Sequence, residues 1–416
     1  MSGIRVNEWL HNSGTGGIWQ TSAGNVGIAS SVPTTKLEVT GDAKISGVTT
    51  AAAFIPSEGN SNKKNLLDNG EFIVDQRMGG SATAITPSGG VDYTCDRWHS
   101  SNYGGEAGRI TFQTISGDVP NSNYRQSIKL DCTTAMGAPS GNNYMSFSTF
   151  TEAQDNRFLG HGTATAKPVT LQFWIKSTKT GTASVGLARH DASREYIAEY
   201  TISSTNTWEK KTITFPGDTS GSEMAMDNGR GFKLNFVLFA GSSRHATVNQ
   251  WAAFTSSYYA ASSNQVNLID STSHNIFFTG IQLEVGEVAT PFEYRNYGDE
   301  LLRCQRYYWK TKADNNIFFP GLGMADVDGN TVILNTQFPV TMRSAPTALE
   351  QTGTASDYKI RRSTTQTCSA VPTFGNATTD QVSTNFTKSS HGWGDGSTVR
   401  AMGGTSGAYL GWSADL

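Results

Sequence analysis

The stretch from Thr279 to Trp309, TGIQLEVGEVATPFEYRNYGDELLRCQRYYW, constrains the fold most, because its physical character changes twice in one short segment. Thr279, Ile281, Leu283 and Val285 alternate with Gly280, Gln282 and Glu284, the period of a strand with one buried face. Pro291 bars that strand from continuing as a central one. After Gly298, Asp299 and Glu300 precede Arg303 and Arg306, the charge order that a helix dipole favours. The spacing therefore predicts a strand that closes one domain and a short helix that opens another.

A chain of 416 residues is too long for a single small core, and two or three domains are expected. Only 16% of residues are charged and 44 are Gly, with abundant Ser, Thr and Asn, which favours strands joined by tight turns. An all-β class follows. A formal net charge of −3 offers no concentrated basic surface for phosphate backbones, so nucleic acid is not an expected partner. No apolar run reaches the length of a spanning helix, and residues 1–10 lack the basic and apolar regions of a signal peptide. Neither membrane insertion nor Sec export is expected. Cys95, Cys132, Cys304 and Cys368 have no metal or redox spacing and read as free thiols, a Cys95–Cys132 bridge being the open alternative.

In residues 1–60, Leu37 and Val39 alternate with Lys36 and Glu38, Gly41-Asp42 makes a turn, and Ala43 and Ile45 alternate with Lys44 and Ser46. Strands this short cannot stand alone in water; their apolar face needs cover, and copies of the same chain are the economical source. The string VGIASSVPTTKLEVTGDAKISGVTTA resembles the shaft elements of bacteriophage tail fibres, with Ala29 and Ser30 where Gly-Thr is more usual. An ordinary hairpin of a globular domain is the alternative. The resemblance implies a homotrimer intertwined as a short β shaft and attached to a tail, baseplate or adaptor protein of the virion.

Gly59–Lys64 reads as a linker. Beyond it, Val169–Lys176, Thr212–Phe215, Phe232–Ala240 and His274–Val285 read as strands, the first with Val169, Leu171, Phe173 and Ile175 on one face and Thr170, Gln172, Trp174 and Lys176 on the other. Two packed antiparallel sheets, a sandwich or jelly roll, are expected. The ordered blocks NLLDNGEFIVDQRMGG, YTCDRWHS, VTLQFWIKS and FFTGIQLEVGEVATPFEYR resemble the carbohydrate-binding-module-like jelly roll of phage tail fibres and related adhesins, here residues 65–295. That resemblance brings a structural Ca²⁺ near the start of the domain, for which Asn69, Glu71 and Glu284 are the hard oxygen ligands. Ile73 stands where the family pattern often has an acid, and no cofactor is assigned. CQRYYWK followed by FPVTMRSAPTAL resembles the C-terminal tip domain of phage tail-fibre proteins, here residues 296–416, a β-rich domain opened by the short helix.

No catalytic signature is present: Ser406 in GGTSGA misses the nucleophile elbow by one position, and there is no HExxH or Walker loop. Carboxylates that meet only in space stay open for glycoside hydrolysis, but the short rungs of a polysaccharide-cleaving β-helix are missing. A non-enzyme is expected. Sugar rings stack on Trp and Tyr while their hydroxyls bond polar neighbours, so aromatics with polar flanks are the candidates. They are Tyr103, Tyr144, Trp251, Tyr258 and Tyr259 in the jelly roll, and Trp393 and Trp412 in the tip. The first five also suit loop covers or edge plugs, and the last two suit interchain packing about a threefold axis. Trp98 and Trp174 are assigned to structure. The expected protein is thus a virion tail-fibre component, made in host cytoplasm, that binds host surface glycan such as lipopolysaccharide; a glycan depolymerase and a virion connector or decoration protein are the alternatives.

Overall fold

The computed structural model describes residues 8–10, 17–32, 34–39, 64–84, 91–104, 109–254 and 261–416. Contacts divide the chain into two units, Met1–Ser57 and Glu58–Leu416. In the first, strands Glu8–Leu10, Gly17–Gln20, Val26–Ile28 and Leu37–Val39 form a four-stranded sheet in that order. Leu37–Val39 runs parallel to Val26–Ile28. The expected Gly41-Asp42 turn, the strand after it and Gly59–Lys63 lie outside the described residues. Ile18, Ile28 and Leu37 share one face and stay exposed, Leu37 at 62%, so among the described residues of this unit nothing covers that face.

The second unit is built on a β-sandwich whose two sheets pair only antiparallel strands. One has seven strands, in the order Trp251–Ala253, Arg194–Ile202, Gly181–Arg189, Arg230–Ala240, Tyr144–Glu152, Trp98–Tyr103, Val91–Tyr93. The other has six: Glu209–Phe215, Val169–Ser177, Asn275–Val285, Gln126–Cys132, Ile110–Ser116, Thr83–Ala84. Val169, Leu171, Phe173 and Ile175 point inward as their alternation requires, and meet Phe232, Leu234 and Phe236 from the facing sheet. Trp174 points outward and is covered by a loop, its Nε1 donating to the Tyr124 hydroxyl at 3.1 Å. All four cysteines are buried free thiols.

The closing strand departs from strict alternation. Ile276 and Phe278 face the core, as do Ile281 and Leu283, but Thr279 pairs with outward Trp174. A bulge at Gly280 resets the period. Gly280 has φ +60°, and a Cβ there would sit 2.6 Å from the Tyr124 ring, so only glycine fits.

Three of the four blocks, those holding Asn65–Asn69, Trp98 and Ile281–Arg295, meet in the sandwich. Leu66 N donates to Leu283 O, and the Asn65 amide bridges Ile281 O and Leu283 N. Trp98 Nε1 donates to Asn69 O, while Arg295 donates to the carbonyls of Asn65 and Leu67. These motifs tie the start of the domain to its end.

Helix Tyr297–Gln305 follows, capped by Asn296, whose side chain accepts from Asp299 N. Beyond it lie a three-stranded sheet (Tyr308–Ala313, Ala408–Ser413, Glu350–Gln351) and a seven-stranded sheet in the order Thr365–Thr367, Tyr358–Arg361, Thr398–Gly403, Leu322–Ala325, Thr331–Gln337, Gln381–Thr387, Thr373–Ala377. Their core holds Trp309, Phe338, Tyr358, Phe386 and Trp412. The aromatic run that opens this C-terminal region is also where it joins the sandwich: Tyr307 and Leu416 pack on Phe150, and the Arg97 and Arg77 guanidinium groups lie 3.3 and 3.6 Å from the Tyr307 and Tyr308 ring centroids. Buried Glu152 accepts from Arg306 Nε and Nη2 at 2.7 and 2.8 Å and from the Tyr307 hydroxyl at 2.6 Å. Among the described residues no helix is long and apolar enough to cross a membrane.

Burial sets the pH response of this unit. It presses the His161 imidazole down to about 4, outweighing its bond to Lys167 O, and does the same to His190 with help from Arg230 and Lys233. An unfolded histidine titrates near ~6.5, so below that pH the unfolded chain takes up protons the folded one refuses. The two histidines are therefore expected to lower stability from pH 6.5 toward 4, fully buried His161 alone contributing a loss of about 2 kcal/mol between pH 7 and 5, which buried Asp96, its carboxyl raised to about 6, offsets only in part. Urea midpoints at the two pH values check this; unchanged midpoints, or a rise at pH 5, would refute it.

Candidate functional site

The outward face of the seven-stranded sandwich sheet is polar, and much of it is buried. Register sets Glu195, Ala188, Lys233 and Phe150 in one row, and Ile197, Gly186, Asn235, Ser148 and His99 in the next. Small residues at Ala188, Gly186, Ser148 and Ser146 leave a trough along the middle strands. Longer side chains lie down into it: Lys233 Nζ donates to Ser101 Oγ at 2.9 Å, and the Tyr144 and Ser148 hydroxyls both donate to Asn235 Oδ1 at 2.7 Å. Burial holds the Lys233 amine well below its ordinary value, only partly offset by Glu195. The His99 imidazole, stacked on Phe150, is likewise pushed well below its usual range by burial and by Lys233.

Beside Glu195 lies a pocket of about 250 Å³ between the Arg194–Ile202 strand and the loop after Ala240. Glu195, Ser243, Arg244 and Thr247 supply its polar walls and Phe254 an aromatic one. Glu195 lies over Gly186, where a Cβ would come within 2.6 Å of its Oε1. Arg244 is held by its Nε bond to Asn142 O, and its guanidinium carbon is 4.9 Å from the Tyr103 ring centroid and 5.6 Å from that of Tyr144. Tyr103 is 53% exposed. The carboxylate, guanidinium and hydroxyls of the pocket can bond a hydroxyl-rich ligand, and the accessible phenol ring of Tyr103, outside the pocket lining but against Arg244, offers a face for C–H groups.

Of the aromatics expected to contact a ligand, the structure brings Tyr103 and Tyr144 together as a cross-strand pair but leaves only Tyr103 accessible. Tyr144 is a correction: its ring packs with Val237, Ala240 and Ala261, and its hydroxyl is used internally. Trp251 is half-buried, bonded to Pro216 O and set edge-on to His161 and Tyr196, so it plugs the sheet edge while Ala252 and Ala253 line the pocket. Tyr258 and Tyr259 lie outside the described residues. In the C-terminal region, Trp393 stacks one face on His391 at 5.3 Å and packs on the core. Trp412 is also corrected: it is fully buried against Trp309 within one chain, which leaves it neither for ligand nor for a neighbouring chain.

Asn69, Glu71 and Glu284, the oxygen ligands implied by resemblance, are spent on their own chain. Asn69 Oδ1 accepts from Val74 N, Glu71 Oε1 from Arg125 N, and Glu284 from Thr290 N and Oγ1. Among the described residues no group of three His, Cys, Asp or Glu side chains is placed to hold a metal.

Glu195 and Arg244 escaped the sequence reading. Glu195 is an outward acid between inward Tyr196 and its neighbours in REYIAEY, a legible pattern; Arg244, in SSRHA, carries no local signal.

No protein-family model matches the sequence, and no curated relative matches it. Solved structures similar in part include the enzymatically active domain of bacteriophage CBA120 tailspike protein 4, at 15% identity and TM-score 0.28, over 53% of this chain and 21% of that one. A family 61 carbohydrate-binding module in complex with β-1,4-galactotriose matches at 11% identity and TM-score 0.26, over 54% of this chain and 100% of the module. The family 11 module of a Clostridium thermocellum cellulosomal cellulase matches at 14% and 0.24, over 51% and 98%. Scores this low leave the functional reading to this chain's own residues.

Proposed function

We propose that this chain is a glycan-binding tail-fibre protein of a phage virion that holds host surface polysaccharide without cleaving it. The pocket walled by Glu195 and Arg244 carries this reading, because it has about the volume of one or two sugar units and its Arg244 wall also lies against the exposed ring of Tyr103. Glu195 is the single carboxylate among the described residues that line it, whereas glycoside hydrolysis uses a pair. The N-terminal unit attaches the protein to the tail, baseplate or an adaptor and covers its exposed apolar face with two further copies. Three weak sites per fibre and several fibres per particle raise the effective concentration enough to retain a cell.

Tyr103→Ala is expected to weaken adsorption of the purified chain to host cells about tenfold at an unchanged melting temperature, since the ring stands in solvent. Equal adsorption of variant and parent, equal adsorption to non-host cells, or release of reducing ends from host polysaccharide would each overturn the reading. A monomeric mass by light scattering would remove the trimer.

A further inference from the structure

The tip has a pocket of its own, away from Trp393 and Trp412. Between Phe374 and Ala377 the strand Thr373–Ala377 loses register with Gln381–Thr387. Gly375 lets the displaced backbone settle onto Ser383, since a Cβ there would sit 2.4 Å from Ser383 Oγ, and Asn376 N donates to that oxygen at 2.8 Å. The bulge opens a cavity of about 170 Å³ lined by Asn335, Asn376, Thr378, Gln381 and Ser383 over Val382.

This lining bears no charge. Asn335, Asn376 and Gln381 are exposed lining residues whose side-chain amides, among the described residues, make no hydrogen bond to the chain, so three donor–acceptor pairs are open to a ligand there. A carboxamide offers a donor and an acceptor in one plane, which suits a pair of neighbouring hydroxyls, each itself donor and acceptor. An ionic ligand gains nothing comparable here, and the hairpin turn beside the pocket carries the acid Asp380. Leu322, 69% exposed, stands directly opposite Asn335 on the next strand and supplies an apolar surface for the C–H face of a ring.

We propose that this pocket is a second saccharide site, specific for a neutral, hydroxyl-rich sugar and independent of the Glu195–Arg244 pocket. The proposal stands whether or not the sandwich binds glycan.

The test uses the full chain labelled with ¹⁵N, titrated with tetrasaccharides of glucose, galactose, mannose and N-acetylglucosamine, and with galacturonate tetrasaccharide as the acidic control. The side-chain amide signals of Asn335, Asn376 and Gln381 should move with at least one neutral probe and not with galacturonate. Combined Asn335→Ala and Asn376→Ala substitution should weaken that binding about tenfold at an unchanged melting temperature, while Tyr103→Ala leaves these shifts intact. Amide signals that no neutral probe moves, equal shifts with galacturonate, or a double variant that binds like the parent would overturn it.

Discussion

Trp412→Ala should cost the Glu58–Leu416 unit about 3–5 kcal/mol, the range for removing a large aromatic from a core that cannot collapse around the gap. Trp412 lies on the central strand of a three-stranded sheet, directly opposite Trp309, with ring centroids 5.1 Å apart and planes 20° from parallel. Phe338 closes the other side edge-on at 5.9 Å. Trp412→Phe keeps the aromatic contact and should cost less. Urea midpoints separate this from a surface role: a ligand-contacting tryptophan would lose binding at unchanged stability, and that outcome would sink the assignment to the core.

Arg306→Ala should destabilise the same unit by about 3 kcal/mol, by leaving the buried Glu152 carboxylate without its two-pronged partner. The figure is at the low end for buried pairs because the Arg306 side chain is about one-third exposed. Burial alone would raise the Glu152 carboxyl, but bonds from Arg306 and Tyr307 outweigh it and hold it below its usual value. A carboxylate depressed in the folded state contributes stability above its unfolded pKa of ~4.3 and loses it as pH falls through the folded value. The gap between parent and variant should therefore narrow below about pH 4. Replacing both partners by Met should recover most of the loss, since two matched apolar groups strand no charge. A double variant as unstable as Arg306→Ala would show that the pair does more than neutralise itself.

What could be read in the sequence follows the range of the forces involved. Alternation in Val169–Ser177 reports a local period, and the structure keeps it. The helix expected after Gly298 is legible in Asp299, Glu300 and Arg303, and forms from Tyr297, two residues earlier, with Asn296 as its cap. Gly280 was seen only as a polar position in an alternating run, because a bulge depends on what lies over it, here Tyr124 from a loop far away in sequence. The same limit governs the site. Polar flanks marked Tyr103 and Tyr144 equally, yet only the packing of Ala261 and Asn235 over Tyr144 distinguishes them. Trp412 sits in YLGWSAD, which looks like an exposed loop until Tyr308–Ala313 and Glu350–Gln351 pair on either side of its strand. Arg244 reaches Tyr103 only because the loop after Ala240 folds back across the sheet.

The placing of the Asn275–Val285 strand also bears on how the chain can be made. It lies between Val169–Ser177 and Gln126–Cys132, and its bonds to Asn65 and Leu66 close the circuit with the start of the sandwich. During synthesis both neighbouring strands emerge long before it and must wait with their edges unpaired and the core lacking Ile276, Phe278, Ile281 and Leu283. Such a topology folds slowly, because distant segments must meet before any contact rewards the lost chain freedom. Until Val285 leaves the ribosome, the nascent chain presents two open edges to every other nascent copy nearby. The step that completes the sheet is therefore also the step that ends this chain's greatest exposure to misassembly.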